Sequence, residues 1–160
     1  MNVRFSKVLK DAEIASVTAA YKTENKKIVF TNGCFDLLHI GHIRYLEEAK
    51  KLADILIVGI NADKSVQKLK GPNRPIQNEN DRAEILASLK AVDHTILFSE
   101  DTPLNLIKIV KPDVLVKGGD WQISQIVGSD FVLDYGGIVR SLQFVEGRST
   151  TLLIEKNVKN

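Results

Sequence analysis

Short runs of branched apolar residues, each bounded by polar or helix-breaking residues, constrain the fold of this chain most strongly. Continuous apolar runs of this length are typical of strands buried on both faces, as in a parallel sheet. A more weakly patterned edge strand is expected over residues 138–144. The strand-like runs cover residues 28–30, 55–60, 95–98 and 113–116.

Segments with apolar residues at three- and four-residue steps alternate with these runs. Thr102 is expected to cap one of these helices, with Pro103 as its first residue. Alternation of strand and helix implies right-handed crossovers and an open, doubly wound sheet. We therefore predict an α/β fold with a single Rossmann-like parallel sheet. The helical segments cover residues 12–21, 41–53, 80–89 and 103–110, and a last helix follows Ser149-Thr150-Thr151.

The length of 160 residues predicts one domain over residues 1–160, in which residues 1–26 form a helical lead-in. One cysteine excludes an intramolecular disulfide, and no apolar run approaches the roughly 18 residues of a membrane span. The formal net charge of +2 is too small to indicate a nucleic-acid footprint. We therefore expect a cytoplasmic protein without a membrane or nucleic-acid partner.

The segment TNGCFDLLHIGH, residues 31–42, is the most informative part of the chain. It leaves the first predicted strand and opens the first helix of the sheet, which is where open α/β sheets bind ligands. Gly33 and Gly41 let the backbone approach a ligand, and free amides at the helix start favour an anion. His39 and His42 can direct imidazole donors at one phosphate, an arrangement that stabilises charge in a transition state.

A metal site is the alternative interpretation of the same segment. Cys34, His39 and His42 are possible ligands, but Cys-x4-His-x2-His is not a usual zinc spacing and lacks a fourth ligand. Metal ligands therefore stay unassigned. The third histidine, His94, is expected to be a buried residue with satisfied hydrogen bonds.

A basic stretch follows the second predicted strand and contains Lys64, Lys68, Lys70 and Arg74. Asp63 is its one acidic residue. Such a stretch is either a solvated helix face with its loop or a clamp on triphosphate oxygens. In the second case its cations would also neutralise the leaving pyrophosphate.

Four segments together, TNGCFDLLHIGH, KLKGPNRP, LVKGGDW and EGRSTT, resemble the bacterial D-glycero-D-manno-heptose 1-phosphate adenylyltransferases. These belong to the cytidylyltransferase-like branch of the nucleotidylyltransferase superfamily, whose signature is H-x-G-H. The resemblance runs from about residue 27 to the C-terminus. It implies transfer of a nucleoside monophosphate from ATP, with Mg²⁺, to a heptose 1-phosphate, which gives ADP-heptose for the lipopolysaccharide core. It also implies a chain without the kinase domain found in many relatives, and a homodimer.

The resemblance extends to individual site residues, and for several of them a structural interpretation competes. Asp36 is alternatively a turn residue, Arg82 a surface arginine, and Trp121 a cover for the core edge. Ser149-Thr150-Thr151 is alternatively a helix cap. Catalysis is assigned to His39, His42 and Lys68, and acceptor contacts to Asp36, Arg82, Lys117 and Trp121. Nucleotide contacts are assigned to Thr31, Asn32, Gly33, Cys34, Phe35, Gly41, Lys70, Arg74, Gly118, Asp120, Ser149 and Thr150.

Other functions remain open at this point. The sequence does not show which base is bound, so a GTP-dependent heptose 1-phosphate guanylyltransferase is an alternative. A cytidylyltransferase for glycerol 3-phosphate is another, but that branch carries R-T-E-G-I-S-T where this chain has F-V-E-G-R-S-T from Phe144. The first arginine is missing, and Arg148 has no assigned role. A non-catalytic nucleotide-binding module is least favoured, because His39, His42 and Lys68 are intact.

Overall fold

A sheet of six parallel strands forms the centre of the part of the chain that the computed structural model describes, residues 6–144 and 146–158. A short 3-10 helix, Ile123–Gln125, precedes the sixth α-helix. The strands are β1 (Val8–Leu9), β2 (Ile28–Gly33), β3 (Ile55–Asn61), β4 (His94–Phe98), β5 (Val114–Gly118) and β6 (Ile138–Leu142). The helices are α1 (Asp11–Thr23), α2 (Ile40–Lys50), α3 (Asp63–Lys70), α4 (Glu79–Ala87), α5 (Leu104–Val110), α6 (Ser129–Asp134) and α7 (Thr150–Val158).

The strand order is β1-β4-β3-β2-β5-β6, so the direction in which the chain adds strands reverses at β2. From β2 the chain moves outward through β3 and β4, then returns and adds β5 and β6 on the other side. In open α/β sheets, ligands bind in the crevice that such a reversal leaves at the carboxyl ends of the strands. The predicted α/β parallel sheet is confirmed.

Alternate residues of the central strands face opposite sides of the sheet and enter different apolar clusters. Ile28 and Phe30 pack with residues of α1, α5 and α6, whereas Val29 packs with residues of α2 and α4. Helices thus cover both faces, which explains why these strands are apolar throughout. Within residues 6–144 and 146–158, no helix combines the length and the apolar character needed to cross a membrane.

Most of the predicted elements are present, with ends shifted by a few residues. The strand expected over 138–144 ends at Leu142. The sequence pattern does not predict β1 or α6, which span two and six residues and are too short to show a period. It indicates α3 only as one of the two interpretations of the basic stretch. The cap expected from Thr102 is wrong, because Pro103 and not Thr102 is the N-cap of α5.

Aspartates tie the strands together at the amino edge of the sheet, opposite the crevice. Each stands directly before a strand, and its carboxylate accepts the amide hydrogen of a residue at or near the start of a neighbouring strand. The hydrogen bonds satisfy amides that lie at the margin of the ladder. The pairs are Asp54 with Lys27 at 2.8 Å, Asp93 with Leu56 at 2.7 Å and Asp113 with Ile28 at 2.8 Å.

We expect the substitution Asp93→Ala to lower the free energy of unfolding by about 1–3 kcal/mol, because it leaves the Leu56 amide without its acceptor. It also removes the ion pair with Lys50, whose Nζ lies 2.5 Å from Asp93 Oδ2. Urea denaturation followed by circular dichroism measures the change. Asp134→Ala, at an exposed aspartate of α6, is the control. An equal loss in both variants would contradict the role given to Asp93.

Candidate active site

A cleft of about 380 Å³ opens where the strand order reverses, at the carboxyl ends of β2 and β5. Its volume is within the range of small-molecule sites. The turn after β2, the end of α3 and the end of β5 all contribute to its walls. The lining includes Asn32, Gly33, Cys34, Phe35, Asp36, His42, Tyr45, Asn61, Lys70, Lys117, Gly118, Phe144 and Thr150.

The two histidines form a stacked pair at the start of α2, with ring centroids 3.8 Å apart and planes inclined by 24°. His39 is the N-cap, and its Nδ1 accepts the Gly41 amide hydrogen at 3.1 Å. Nδ1 of His42 accepts the amide hydrogen of His39 at 3.4 Å. Because both Nδ1 atoms are acceptors, each neutral ring carries its proton on Nε2. The Nε2–H groups are therefore the donors available to a ligand.

Burial keeps these imidazoles neutral. It lowers the pKa of His42 to about 4, and the neighbouring His39 and Lys70 act in the same direction. Burial and the charge of Arg148 also lower the pKa of His39. Both rings therefore act at pH 7 as neutral hydrogen-bond donors rather than as cations.

Gly41 has a steric role that differs from the expected close approach to a ligand. A Cβ atom built on Gly41 would lie 2.9 Å from both Cε1 and Nδ1 of His39, and 3.4 Å from Cβ of Arg148. The ring of His39 folds back over this position to reach its amide hydrogen bond. The glycine between the histidines is thus required by the histidine pair itself.

The turn after β2 is held in an unusual backbone conformation. Phe35 has a φ of 48°, in the left-handed region, which is costly for a bulky residue. Its ring lies over Gly33, where a Cβ would be only 2.9 Å from Cε2, and packs at 5.3 Å against His42. The turn therefore supports the buried side of the histidine pair.

Lys117 and Lys70 bring positive charge to the cleft. Lys117, the next-to-last residue of β5, is partly buried, and burial lowers the pKa of its ammonium group. Among residues 6–144 and 146–158, neither lysine has a hydrogen-bond acceptor or an ion-pair partner. Partly buried cations are normally compensated, so Lys117 without such a partner indicates a site for an anion. Lys70 is exposed and adds positive charge at the margin of this site.

Asp36 lines the cleft, but its carboxylate is engaged within the chain. It is fully buried, and it accepts hydrogen bonds from Nε of Arg74 at 2.7 Å and from the amides of Ile76 and Gln77 at 2.9 and 3.0 Å. These contacts fasten the segment after α3 against the turn after β2. Asp36 and Nε of Arg74 thus bind each other, whereas Nη2 of Arg74 is buried without a hydrogen-bond partner among the described residues. The acceptor contact of Asp36 and the nucleotide contact of Arg74 stay predictions.

Arg82 is neither a surface residue nor a group in the cleft. Its side chain is fully buried on α4, and every guanidinium nitrogen donates to the chain. Nε donates to the Gln77 carbonyl at 3.0 Å, Nη1 to the Cys34 carbonyl at 2.6 Å and Nη2 to Asp63 at 2.8 Å. The predicted acceptor contact is replaced by a positioning role, because Arg82 fixes the carbonyl of a residue that lines the cleft.

Thr31 and Lys68 are also not brought into the cleft. The hydroxyl of Thr31 is buried and lies 2.6 Å from the hydroxyl of Tyr45 on α2. Lys68 is an exposed residue of α3 whose Nζ lies 2.8 Å from Asp101, at the cleft margin. The two lysines leave α3 in different directions, so Lys70 lines the cleft and Lys68 does not.

At the start of α7, the helix-cap interpretation of Ser149 is confirmed, since its Oγ accepts the Leu152 amide hydrogen at 3.1 Å. Thr150 lines the cleft, and its hydroxyl donates to the Leu37 carbonyl at 2.8 Å. This bond ties α7 to the turn that carries the histidines. Both hydroxyls are thus engaged within the chain.

The KGGDW segment is divided between the cleft and its surroundings. Gly118 lines the cleft, whereas Asp120 is exposed and does not. Trp121 is 44% exposed, and its Nε1 donates to the Gly118 carbonyl at 3.1 Å. It lines a smaller adjoining pocket with Lys117 and Asn32. The interpretations of Trp121 as a cover and as a contact residue are both compatible with this position.

Several lining residues are not predicted from the sequence, among them Tyr45, Asn61 and Phe144. Asn61 is a polar residue at the end of an apolar strand, a signal that could have identified it. Tyr45 occupies what looks like one more apolar helix position, and nothing in the local pattern distinguishes Phe144.

The structure also shows the surroundings of the third histidine, His94, and the arrangement of the possible metal ligands. His94 is buried and lies 2.7 Å from both the Tyr21 hydroxyl and the Ser6 carbonyl, as expected for a satisfied core histidine. Among the described residues, no group of three or more His, Cys, Asp and Glu side chains is placed to hold a metal ion. The metal interpretation of Cys34 with the histidine pair is therefore not supported.

The parallel sheet and the cleft at the reversal of its strand order together define a Rossmann-like α/β protein. The family model described as cytidylyltransferase-like matches residues 30–156, and the chain belongs to this family.

Longer bacterial proteins are similar over nearly the whole chain. The bifunctional protein HldE of a Nitratiruptor species is 55% identical over 144 residues, which are 90% of this chain and 30% of that protein. HldE of Geobacter sulfurreducens is 51% identical over 146 residues, 91% of this chain and 30% of that protein. The chain thus spans about 30% of the length of these curated relatives.

Solved structures show the same architecture. The lipopolysaccharide core biosynthesis protein of Thermoplasma volcanium is 32% identical, with a TM-score of 0.61 over 77% of this chain and 99% of that one. Pantoate-beta-alanine ligase of Francisella tularensis has a TM-score of 0.62 over 92% of this chain and 69% of that one. At 20% identity, the second likeness concerns the fold alone.

We expect His42 in the ligand-free protein to carry its proton on Nε2 at pH 7 and to titrate near pH 4, because burial disfavours the imidazolium. Long-range ¹H–¹⁵N correlation spectra of the imidazole nitrogens report both the tautomer and the midpoint. The unfolded chain in urea, which should titrate near the ordinary value of 6.5, is the reference. A proton on Nδ1, or a midpoint near 6.5 in the folded protein, would contradict the geometry described.

We expect Asp36→Asn to lower the free energy of unfolding by about 3–5 kcal/mol at pH 7, because it leaves Arg74 without its buried counter-charge. Burial raises the pKa of Asp36, but the amides of Gln77 and Ile76 and the Arg74 guanidinium outweigh it and hold the pKa below 3.8. The stabilisation is thus present above the unfolded-state pKa and is lost as the pH falls through the lower folded-state value. The difference in the free energy of unfolding between wild type and variant should therefore become smaller below about pH 4.

Urea unfolding across pH 2–7 measures this dependence. Asp101→Asn removes the exposed partner of Lys68 and should change stability by less than about 1 kcal/mol. If the loss of unfolding free energy in Asp36→Asn does not vary with pH, the ion pair with Arg74 is not the cause of that loss.

Proposed function

We propose that this chain transfers the adenylyl group of ATP to D-glycero-D-manno-heptose 1-phosphate, which yields ADP-heptose and pyrophosphate for lipopolysaccharide core synthesis. The observation that carries the proposal is the meeting in one cleft of His42 with Lys70 and Lys117, two lysines without an ion-pair partner among the described residues. The segments that resemble heptose 1-phosphate adenylyltransferases support the choice of substrates. So does the likeness to HldE and to a lipopolysaccharide core biosynthesis protein.

In the proposed reaction, a phosphate oxygen of the sugar 1-phosphate attacks the α-phosphorus of ATP in line. The new oxygen–phosphorus bond forms as the bond to the bridging oxygen breaks, and its electron pair leaves with pyrophosphate. A phosphate monoester is largely ionised at pH 7, so the attack needs no strong general base. The cleft accordingly needs to supply positioning and charge stabilisation rather than a nucleophile.

The chain's own groups match that requirement. The donors for phosphoryl oxygens that gain charge during transfer are Nε2–H of His42, which lines the cleft, and Nε2–H of the stacked His39, which lines a neighbouring pocket. Lys70 and Lys117 supply positive charge at the same cleft. Arg82 acts through the Cys34 carbonyl to hold the turn in place.

A divalent ion is expected with a nucleoside triphosphate, and we assign Mg²⁺ to the substrate as its ATP complex. The described residues do not form a metal-binding cluster, and the carboxylate of Asp36 is occupied by Arg74 and backbone amides. Mg²⁺ commonly reaches such sites bound mainly by substrate phosphates. No protein ligand for it is assigned.

The direct test is pyrophosphate release with Mg²⁺, in which ATP, GTP, CTP and UTP are offered separately to each anomer of heptose 1-phosphate and to glycerol 3-phosphate. We expect release with ATP. Release with GTP alone would replace the proposal by a guanylyltransferase, and release with CTP and glycerol 3-phosphate would replace it by a cytidylyltransferase.

His42→Ala should lower kcat on the order of 10²–10³-fold with a smaller effect on the KM for ATP, as for the loss of one transition-state donor. Lys108→Ala, an exposed lysine of α5, is the matched control and should leave kcat unchanged. Full activity in His42→Ala would refute the assignment of the histidine pair.

A further inference from the structure

Phe144, two residues after β6, is a half-exposed aromatic residue on the wall of the cleft. Its side chain is 52% exposed, although it lines a cleft with Lys117, His42 and Thr150. Single exposed apolar residues are common and need no explanation. The packing beneath this ring, however, is specific.

The ring of Phe144 packs directly on Gly118, which we call the seat of the ring. A Cβ atom on Gly118 would lie 2.5 Å from Cζ and 2.6 Å from Cε1 of Phe144, closer than real Cβ contacts allow. The φ of Gly118 is outside the left-handed region, so the backbone does not require glycine there. Instead, the ring of Phe144 leaves no room for a side chain at position 118. Strand pairing brings the two residues together, because Gly118 of β5 is in register with Leu142 of β6.

The surroundings of the ring favour a flat apolar ligand. Gly118, Gly119 and Tyr45 are in contact with it or close to it, with Tyr45 at a centroid distance of 5.8 Å. The Tyr45 hydroxyl is already bonded to Thr31, so no free polar side chain among these neighbours is placed to bind a sugar hydroxyl. Because a base has a π-face of its own, stacking alone is enough to hold it.

We propose that Phe144 is the stacking platform for the nucleobase of the nucleoside triphosphate. The proposal rests on the proposed function, in which the phosphates of that nucleotide contact His42 and Lys117. With the phosphates held there, the exposed ring on the same wall receives the base. The aromatic contact then contributes to nucleotide affinity and not to the charge stabilisation of the transferred phosphoryl group.

The test measures binding of ATP and of inorganic tripolyphosphate, without acceptor, by isothermal titration calorimetry. Phe144→Ala should raise the Kd for ATP roughly 5- to 150-fold, the range for loss of one base–aromatic stack, and leave the Kd for tripolyphosphate unchanged. Phe144→Trp should retain ATP binding. Leu133→Ala, at a similarly exposed apolar residue of α6, is the control.

A second variant tests the seat of the ring. Gly118→Ala keeps Phe144 but fills the space beneath it, so the ring must move. We expect it to weaken ATP binding while the Kd for tripolyphosphate stays near the wild-type value. ATP binding at wild-type strength in Gly118→Ala would show that the position of the ring does not matter and would overturn the proposal.

Other outcomes separate this inference from the proposed function. Equal weakening of ATP and tripolyphosphate in Phe144→Ala would show that the ring only shapes the cleft, and would overturn the platform. An increased KM for the sugar phosphate with unchanged ATP binding would place the acceptor on the ring and also overturn it. If wild type binds ATP but releases no pyrophosphate with any sugar phosphate, the proposed function fails while a selective loss in Phe144→Ala still supports the platform.

Discussion

The reversal of strand order at β2 is the constraint on which the other features of this molecule depend. Because β3 and β5 flank β2 and their connections leave in opposite directions, the crossovers separate at the carboxyl edge and a crevice remains between them. The opposite edge is closed by Asp54, Asp93 and Asp113, whose carboxylates bind amides at the strand starts. One edge of the sheet thus supplies stability, and the other is left open for a ligand.

Several residues at or near the cleft support its walls through contacts within the chain. Arg82 holds the Cys34 carbonyl, Asp36 fastens the segment that begins at Arg74, and Gly41 leaves room for the ring of His39. Their bonds exist before any ligand arrives, so the donors of the site do not have to be organised during binding. The histidines fit the same principle, because their tautomer is set by backbone amides.

The sequence predicts the sheet well, because runs buried on both faces are a local pattern, and the turn after β2 is likewise a local signal for the candidate site. It does not predict which way a side chain leaves the backbone. The sequence pattern does not distinguish Lys68 from Lys70, yet of the two only Lys70 lines the cleft. The partners of Asp36 lie 38 to 41 residues away, and the seat of Phe144 depends on strand register, so neither is visible in a local motif.

Trp121 gives the molecule a built-in optical property. It is the single tryptophan of the chain, and its indole is fastened to the carbonyl of Gly118, the residue beneath Phe144. Emission excited at the red edge of protein absorption therefore arises from one place, beside the wall of the cleft. The colour of that emission follows the polarity and the motion of this wall, and the rest of the fold does not contribute to it.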